Sequence, residues 1–233
     1  MKEHKCIAVV LAAGRGKRMG SDMPKQYIEL DGKPILYYSL RQFEQCSLID
    51  EIILVTGKDE IEFCRQNIVE KYSFNKIKDI VEGGAERYHS VYSALQAIDK
   101  CDYVFIHDGA RPFIEIKTIE KLYENVKEHQ ACVVGVKSKD TVKLADEEEV
   151  VSATLDRSMV WNIQTPQVFA WTIVKEAYDK LMVTECDGIT DDAMVVENML
   201  HHKIKLVEGD YENIKVTTPS DLIIASAFLN SKG

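Results

Sequence analysis

Cys6-Ile7-Ala8-Val9-Val10-Leu11-Ala12-Ala13-Gly14-Arg15-Gly16-Lys17-Arg18-Met19-Gly20 carries an apolar run straight into a small-residue, glycine-spaced, basic loop. Ile7 to Leu11 has no polar side chain to turn toward water, so it reads as a strand buried on both faces, the pattern of parallel sheets. Ligands of open parallel sheets bind beyond the carboxyl ends of the strands. Alanine and glycine there let a base or phosphate come close to the backbone, whose N–H groups can point at anionic oxygens. Two familiar glycine motifs fail. A P-loop needs Ser or Thr after its Gly-Lys, whereas Arg18 follows Gly16-Lys17. Gly14, Gly16 and Gly20 are spaced G-x-G-x-x-x-G, one residue too long for the dinucleotide fingerprint. Neither an ATPase nor a nicotinamide enzyme is supported. The loop offers charge instead: Arg15, Lys17, Arg18 and Lys25 face only Asp22, which suits a triphosphate.

Outward from this loop, apolar strands alternate with amphipathic helices. Pro34 can open a helix with Ile35, Leu36, Leu40 and Phe43 on one face. Ile52–Val55, Ile80-Val81, Tyr103–Ile106 and Cys132–Val136 read as strands. Helices are expected from about Glu60 to Tyr72, around Val91, Leu95 and Ile98, and around Ile119, Leu122, Tyr123 and Val126. This predicts an α/β fold: a Rossmann-like, mainly parallel sheet with helices on both faces. From 137 to 167 the rhythm changes to short β-like segments, Thr141–Leu144 and Val150–Leu155, around the acidic turn Asp146–Glu149. That reads as a projecting antiparallel β-arm. Helices return near Thr172–Met182 and Asp191–Met199, then a strand at Ile204–Val207 and a helix opened by Thr218-Pro219-Ser220-Asp221. With no linker or repeat, one domain over 1–233 with an arm at about 137–167 is expected.

The chain has 233 residues, 45% of them hydrophobic, enough for a sizeable core. A net charge of −9 argues against a generic nucleic-acid binder, which needs a basic surface. No apolar run reaches the roughly 20 residues that span a bilayer, and the start lacks a secretory pattern, so a soluble cytoplasmic protein is expected, with no membrane partner. The six cysteines lie far apart without a C-x-x-C pair and read as small, reduced hydrophobes.

Leu11–Met19, followed by Pro24-Lys25-Gln26-Tyr27, resembles the signature of sugar-phosphate cytidylyltransferases, of nucleotide-diphosphosugar transferase type. The likeness continues through Gly83-Gly84-Ala85-Glu86-Arg87-Tyr88-His89-Ser90-Val91, His107-Asp108-Gly109-Ala110-Arg111-Pro112 and Asp140-Thr141-Val142-Lys143. It goes on through Leu155-Asp156-Arg157, Gln164–Phe169, Thr190-Asp191-Asp192 and Asn213–Thr217. The ordered set is similar to the 2-C-methyl-D-erythritol 4-phosphate cytidylyltransferase family of the non-mevalonate isoprenoid pathway. The chain departs from it at Gly109, more often Ala, and at Asp192, more often Glu; the first removes a methyl near the expected ribose site.

The resemblance implies that CTP and 2-C-methyl-D-erythritol 4-phosphate give 4-diphosphocytidyl-2-C-methyl-D-erythritol and pyrophosphate. It implies that Arg18 and Lys25 stabilise the transition state, and that Arg157 and Lys215 hold the acceptor. Leu11, Ala12, Ala13, Gly14, Gly84, Ala85 and Ser90 then receive the nucleotide, with Asp108 and Gly109 near ribose. Asp108 also faces Mg2+ or another hard divalent cation, carried mainly by the CTP phosphates. Thr141, Arg111 and Thr165 line the acceptor pocket, and the arm crosses to a twin subunit in a homodimer. His107 reads as a packed, hydrogen-bonded side chain rather than a catalytic one. A ribitol 5-phosphate cytidylyltransferase and a catalytically silent nucleotide-binding module are the alternatives.

Overall fold

The computed structural model describes residues 3–14, 24–184 and 187–232. The opening apolar run is strand β1 (Cys6–Leu11), buried from Cys6 through Val10. A tight ribbon, β2 (Glu29–Leu30) and β3 (Lys33–Pro34), turns at Asp31-Gly32, both in the left-handed region, and leads into α1 (Ile35–Gln45). Then come β4 (Glu51–Thr56), α2 (Ile61–Cys64), β5 (Ile77–Glu82), α3 (Arg87–Gln96), β6 (Tyr103–Asp108), α4 (Ile116–His129) and β7 (Ala131–Lys137). The expected single helix from Glu60 to Tyr72 is instead composite. After α2 the backbone widens into a π-helical segment over Arg65–Glu70, with Lys71 N–H bonded to the Gln66 carbonyl and Phe74 N–H to that of Val69.

The second half holds β8 (Lys143–Ala145), β9 (Val151–Thr154), β10 (Trp161–Ala170), α5 (Trp171–Leu181), α6 (Asp192–Leu200), β11 (Lys205–Glu208) and α7 (Pro219–Lys232). The main sheet runs β11-β7-β10-β6-β1-β4-β5. β1 pairs parallel with β4 and β6, β4 with β5, and β7 with β11. β10 is antiparallel to both of its neighbours, so the sheet is mainly parallel, as expected.

Strand β10 corrects the expected arm boundary. Residues 161–167, read as part of an arm from about 137 to 167, lie in the main sheet; the hairpin is confined to β8 and β9. Polar residues and Pro166 hid this strand. Its buried amides are satisfied by loops: Gln164 donates to the Asp210 carbonyl at 2.9 Å, and Gln167 to Asp191 at 2.9 Å. Pro166, whose preceding peptide is cis, sits where the pairing with β7 shifts register, a place that tolerates a missing N–H.

Alternation along the strands separates two cores. Ala8, Val10, Ile52, Leu54 and Phe105 face α1, α2 and α4, meeting Leu40, Phe43, Cys64 and Leu122. Ile7, Val9, Ile53, Val55 and Ile106 face α3, α5 and α6, meeting Leu95, Tyr178 and Val195. Each such buried aliphatic or aromatic side chain contributes about 1.5–3 kcal/mol by leaving water. A smaller cluster of Leu30, Ile35, Phe113, Val216 and Ala225 seats α7, whose start is held by the Asp221 carboxylate accepting the N–H groups of Thr217 and Thr218. Cys6, Cys46, Cys64, Cys101 and Cys132 are all buried, in keeping with the reading of small hydrophobes; Cys186 lies outside the described residues. No helix among the described residues is long and apolar enough to cross a membrane.

Candidate active site

The carboxyl ends of β1, β4, β5 and β6 open into one cavity of about 630 Å3. Leu11, Ala12, Ala13 and Gly14 form its floor as the chain leaves β1. The strand end is pinned on both sides: Ala12 N–H bonds the Val55 carbonyl at 2.6 Å, and Gly109 N–H bonds that of Leu11 at 2.8 Å. Gly83, Gly84, Ala85 and Ser90 form a facing wall after β5. The Ser90 hydroxyl accepts the Gly84 N–H at 3.1 Å and lies 3.3 Å from the Glu86 carbonyl, so it shapes the wall as well as facing the cavity.

Lys25 enters from a short 3-10 turn, Lys25–Tyr27, whose next two side chains are buried anchors. The Gln26 amide donates to the Ala12 carbonyl. The Tyr27 hydroxyl donates to Glu60 at 2.8 Å and lies 2.8 Å from the Thr56 hydroxyl and 2.9 Å from the Cys64 sulfur. Burial, reinforced by Cys64, raises the Tyr27 phenol far above its ordinary range, so it stays protonated as donor. These contacts fasten the Lys25 turn to β1, β4 and α2.

Across the cavity, Asp108 ends β6 with its side chain only 10% exposed, surrounded by cations. Lys215 Nζ is 2.7 Å from one oxygen, Arg87 Nε 3.2 Å from the other, and Arg111 Nε 3.9 Å away. Burial by itself raises the carboxyl pKa, but Arg87, Lys215 and Arg111 together hold it far below the usual range. Asp108 is therefore an anion throughout the physiological range.

The sequence-read residues separate into groups. Leu11, Ala12, Ala13, Gly14, Lys25, Gly84, Ala85, Ser90, Asp108 and Lys215 meet at the cavity. Arg111 and Thr165 lie behind it. The Arg111 guanidinium donates to the Asn213 carbonyl at 2.8 Å, and the Thr165 hydroxyl accepts the Asp108 N–H at 3.0 Å. Gly109 is also turned away, because a Cβ there would meet Leu36 at 2.8 Å and the Leu11 carbonyl at 2.9 Å, not a ribose site. Its missing methyl allows α1 to approach β6. Thr141 and Arg157 are exposed at the root of the hairpin and do not line this cavity; Arg157 donates to the Lys139 carbonyl at 3.2 Å. Arg18 lies outside the described residues.

His107 is fully buried between the Thr165 hydroxyl at 3.1 Å and the Arg111 carbonyl at 3.2 Å, a packing residue as expected. Burial lowers its pKa to about 4, leaving it neutral. Sequence reading did not single out Arg87, which lines the cavity and grips Asp192 through both terminal nitrogens at 2.8 Å. Its only signal was a place within the Gly83–Val91 block. Among the described residues no cluster of three His, Cys, Asp or Glu side chains forms a metal cage.

A mainly parallel sheet that ends in a small-residue floor, with Lys25 and Lys215 lining the same cavity as a buried carboxylate, suits a nucleotidyltransferase. The family model for 2-C-methyl-D-erythritol 4-phosphate cytidylyltransferase matches residues 6–231. The chain belongs to that family. It is 51% identical over 225 residues to the enzyme of that name from Lachnoclostridium phytofermentans, covering 97% of this chain and 96% of that one. It is 52% identical to the one from Lachnospira eligens, over 95% and 98%. The solved 4-diphosphocytidyl-2C-methyl-D-erythritol synthase from Anaerococcus prevotii superposes with a TM-score of 0.87 at 36% identity, over 97% of this chain and 96% of that one.

Proposed function

We propose that this chain transfers the cytidylyl group of CTP to 2-C-methyl-D-erythritol 4-phosphate, and that the cavity residues divide the work as follows. The base lies against Leu11–Ala13 and Gly84–Ser90, where backbone groups and the Ser90 hydroxyl can read a pyrimidine edge. The triphosphate extends between Lys25 and Asp108, and the resemblance adds Arg18 to the cations that serve it. The acceptor phosphate is a monoester with a second pKa of about 6, so near neutrality it is already a dianion. One of its oxygens attacks the α-phosphorus of CTP, and the bond from that phosphorus to the β-phosphate oxygen breaks, releasing pyrophosphate. No general base is required. The step needs two anions held in line and the leaving charge compensated, which Lys25 and Lys215 supply within the cavity, together with Arg18 by the family resemblance.

A divalent cation fits this arrangement as a passenger on CTP. Mg2+ usually keeps several waters and takes one or two carboxylates plus substrate phosphates. Asp108, whose oxygens also hold Arg87 and Lys215, is the cavity carboxylate that would meet it through a remaining lone pair, and the ion would supply further charge neutralisation at the phosphates. Arg157 and Thr141, remote from this cavity within one chain, complete the acceptor pocket of a twin subunit. The exposed apolar residues at the arm, with Val151 56% and Met159 79% exposed, support that reading. So does the marginal stability of a lone two-stranded ribbon in water. On this account the chain is one domain, 1–233, acting as a homodimer.

The observation that carries the assignment is the convergence of Lys25 and Lys215, from opposite ends of the sequence, on one cavity beside Asp108. Pyrophosphate release with CTP and either 2-C-methyl-D-erythritol 4-phosphate or ribitol 5-phosphate is the test. Release with the first and only background with the second is expected. The reverse would make the chain a ribitol phosphate enzyme, and release with neither would make it a silent nucleotide-binding module.

A further inference from the structure

Arg87 takes no part in the phosphoryl chemistry above, yet it lines the cavity and is held there by two carboxylates. It begins α3, and its side chain is 28% exposed. Nη1 and Nη2 each donate to a separate oxygen of Asp192 at 2.8 Å. Asp192 begins α6 and is wholly buried; it also accepts the hydroxyl of Tyr178, itself wholly buried on α5, at 2.5 Å. Asp191 caps α6 through the Met194 N–H, so Asp192 is not needed for capping.

A buried carboxylate is strongly unfavourable unless it is paired and its remaining lone pairs are satisfied. Here a bidentate guanidinium and a phenol do both. The fork geometry fixes the guanidinium plane, which a lysine ammonium cannot do. With both terminal nitrogens turned to Asp192, the Nε edge meets Asp108 Oδ1 at 3.2 Å, opposite the oxygen that Lys215 holds. Helices α3, α5 and α6 thus converge on the cavity carboxylate through one chain of contacts: Tyr178 to Asp192 to Arg87 to Asp108.

We propose that Arg87 is a positioning residue for the transfer reaction: it sets the orientation of the Asp108 carboxylate in the cavity, and Asp192 and Tyr178 lock it in that role. The proposal rests on the reading of Asp108 as part of the nucleotide site. The competing role is purely structural, in which the Arg87–Asp192 pair only ties α6 to α3. These differ in coupling, because a residue acting through Asp108 has nothing left to act on once that carboxylate is lost.

The test is a double-mutant cycle read in kcat and in KM for CTP, with single-turnover rates at excess enzyme to keep weak variants measurable. Arg87→Lys keeps the charge and loses the fork. It is expected to lower kcat about 10-fold or more, with KM for CTP within about 2-fold. In an Asp108→Asn background the same change should cost less than about 2-fold. Tyr178→Phe removes one hydroxyl from the far end of the chain and should lower kcat about 3-fold without changing KM; it serves if Arg87→Lys does not fold. An unchanged kcat in these variants overturns the proposal. So does an equal loss in both backgrounds, which marks a structural tie, or a rise in KM alone, which marks a direct contact with CTP. Full activity of Asp108→Asn would instead overturn the reading of Asp108, a separate failure.

Discussion

Replacing Gly83 by alanine should damage the nucleotide wall from inside. A Cβ at this position would stand 2.4 Å from the Ala13 Cβ and 2.8 Å from the Ser90 hydroxyl oxygen. Carbon atoms rest about 3.5–4.0 Å apart, so the first contact is too short by more than about 1 Å. Ala13 has no rotamer with which to retreat, because its Cβ is fixed to the backbone at the end of β1. Gly83 is also tethered, its N–H bonded to the Thr56 carbonyl at 2.8 Å. The backbone must therefore part, and the parting opens the floor and wall that are read as the base site. Overpacking of this kind costs about 1–3 kcal/mol, and each kcal/mol lowers the melting temperature of a domain this size by about 2–4 °C. The expected result is a fall in Tm of about 2–12 °C together with a rise in KM for CTP of about 10-fold or more. Gly14→Ala is the control. Among the described residues nothing lies within 4 Å of its Cβ position, so its Tm should stay at the parent value. Thermal melts and pyrophosphate-release kinetics on both variants decide the matter. A Gly83→Ala chain with parental Tm and parental KM for CTP would refute the steric reasoning.

Lys25→Ala and Arg18→Ala should each lower turnover by at least roughly 100-fold in a folded chain, the scale of one lost preorganised charge; near-normal turnover would remove them from the mechanism. His107 should make stability acid-sensitive. Its folded pKa of about 4 lies below the ordinary 6.5, so the unfolded chain binds the extra proton first. Stability is full above pH 6.5 and falls as pH drops toward 4, by about 3 kcal/mol in total. Urea midpoints across that range should show the loss, and His107→Gln should flatten it; an equally steep profile in the variant would place the titration elsewhere. Mixing Lys25→Ala with Arg157→Ala chains should restore activity in the heterodimer, since one of its two sites is then intact. A confirmed heterodimer without activity would show that sites are not shared between subunits.

The parallel half of the sheet was legible because its strands are short apolar runs and its helices carry one apolar stripe. That Gly14, Lys25 and Lys215 share one cavity was legible through local residue type and the family's motifs. Strand β10 was not, since Gln164, Thr165, Pro166 and Gln167 look like loop until their partners, far away in sequence, are known. Asp192 illustrates the same limit. Next to Asp191 it reads as one of a pair of helix-cap carboxylates, and only the position of Arg87, 105 residues earlier, gives it a different task. Gly109 looked like a missing methyl at a ligand, and proved to be a place where two backbones and Leu36 crowd together.

Strand β10 leaves the arm at Trp161 and carries Thr165 under Asp108, so two neighbouring stretches of chain differ sharply in how they bear changes of length. At the hairpin tip, Asp146–Glu149, residues added or removed alter only an exposed turn. Between 160 and 165 a single inserted residue would slide the strand by one position, and every side chain beyond it would exchange faces. Gln164 would then take the place of the hydroxyl beneath the carboxylate, and a deletion would bring Pro166 there. Of these two stretches only the outer end of the arm bears a change of length, and grafting a foreign arm onto the enzyme must join ahead of Trp161 with the count from there to Thr165 preserved.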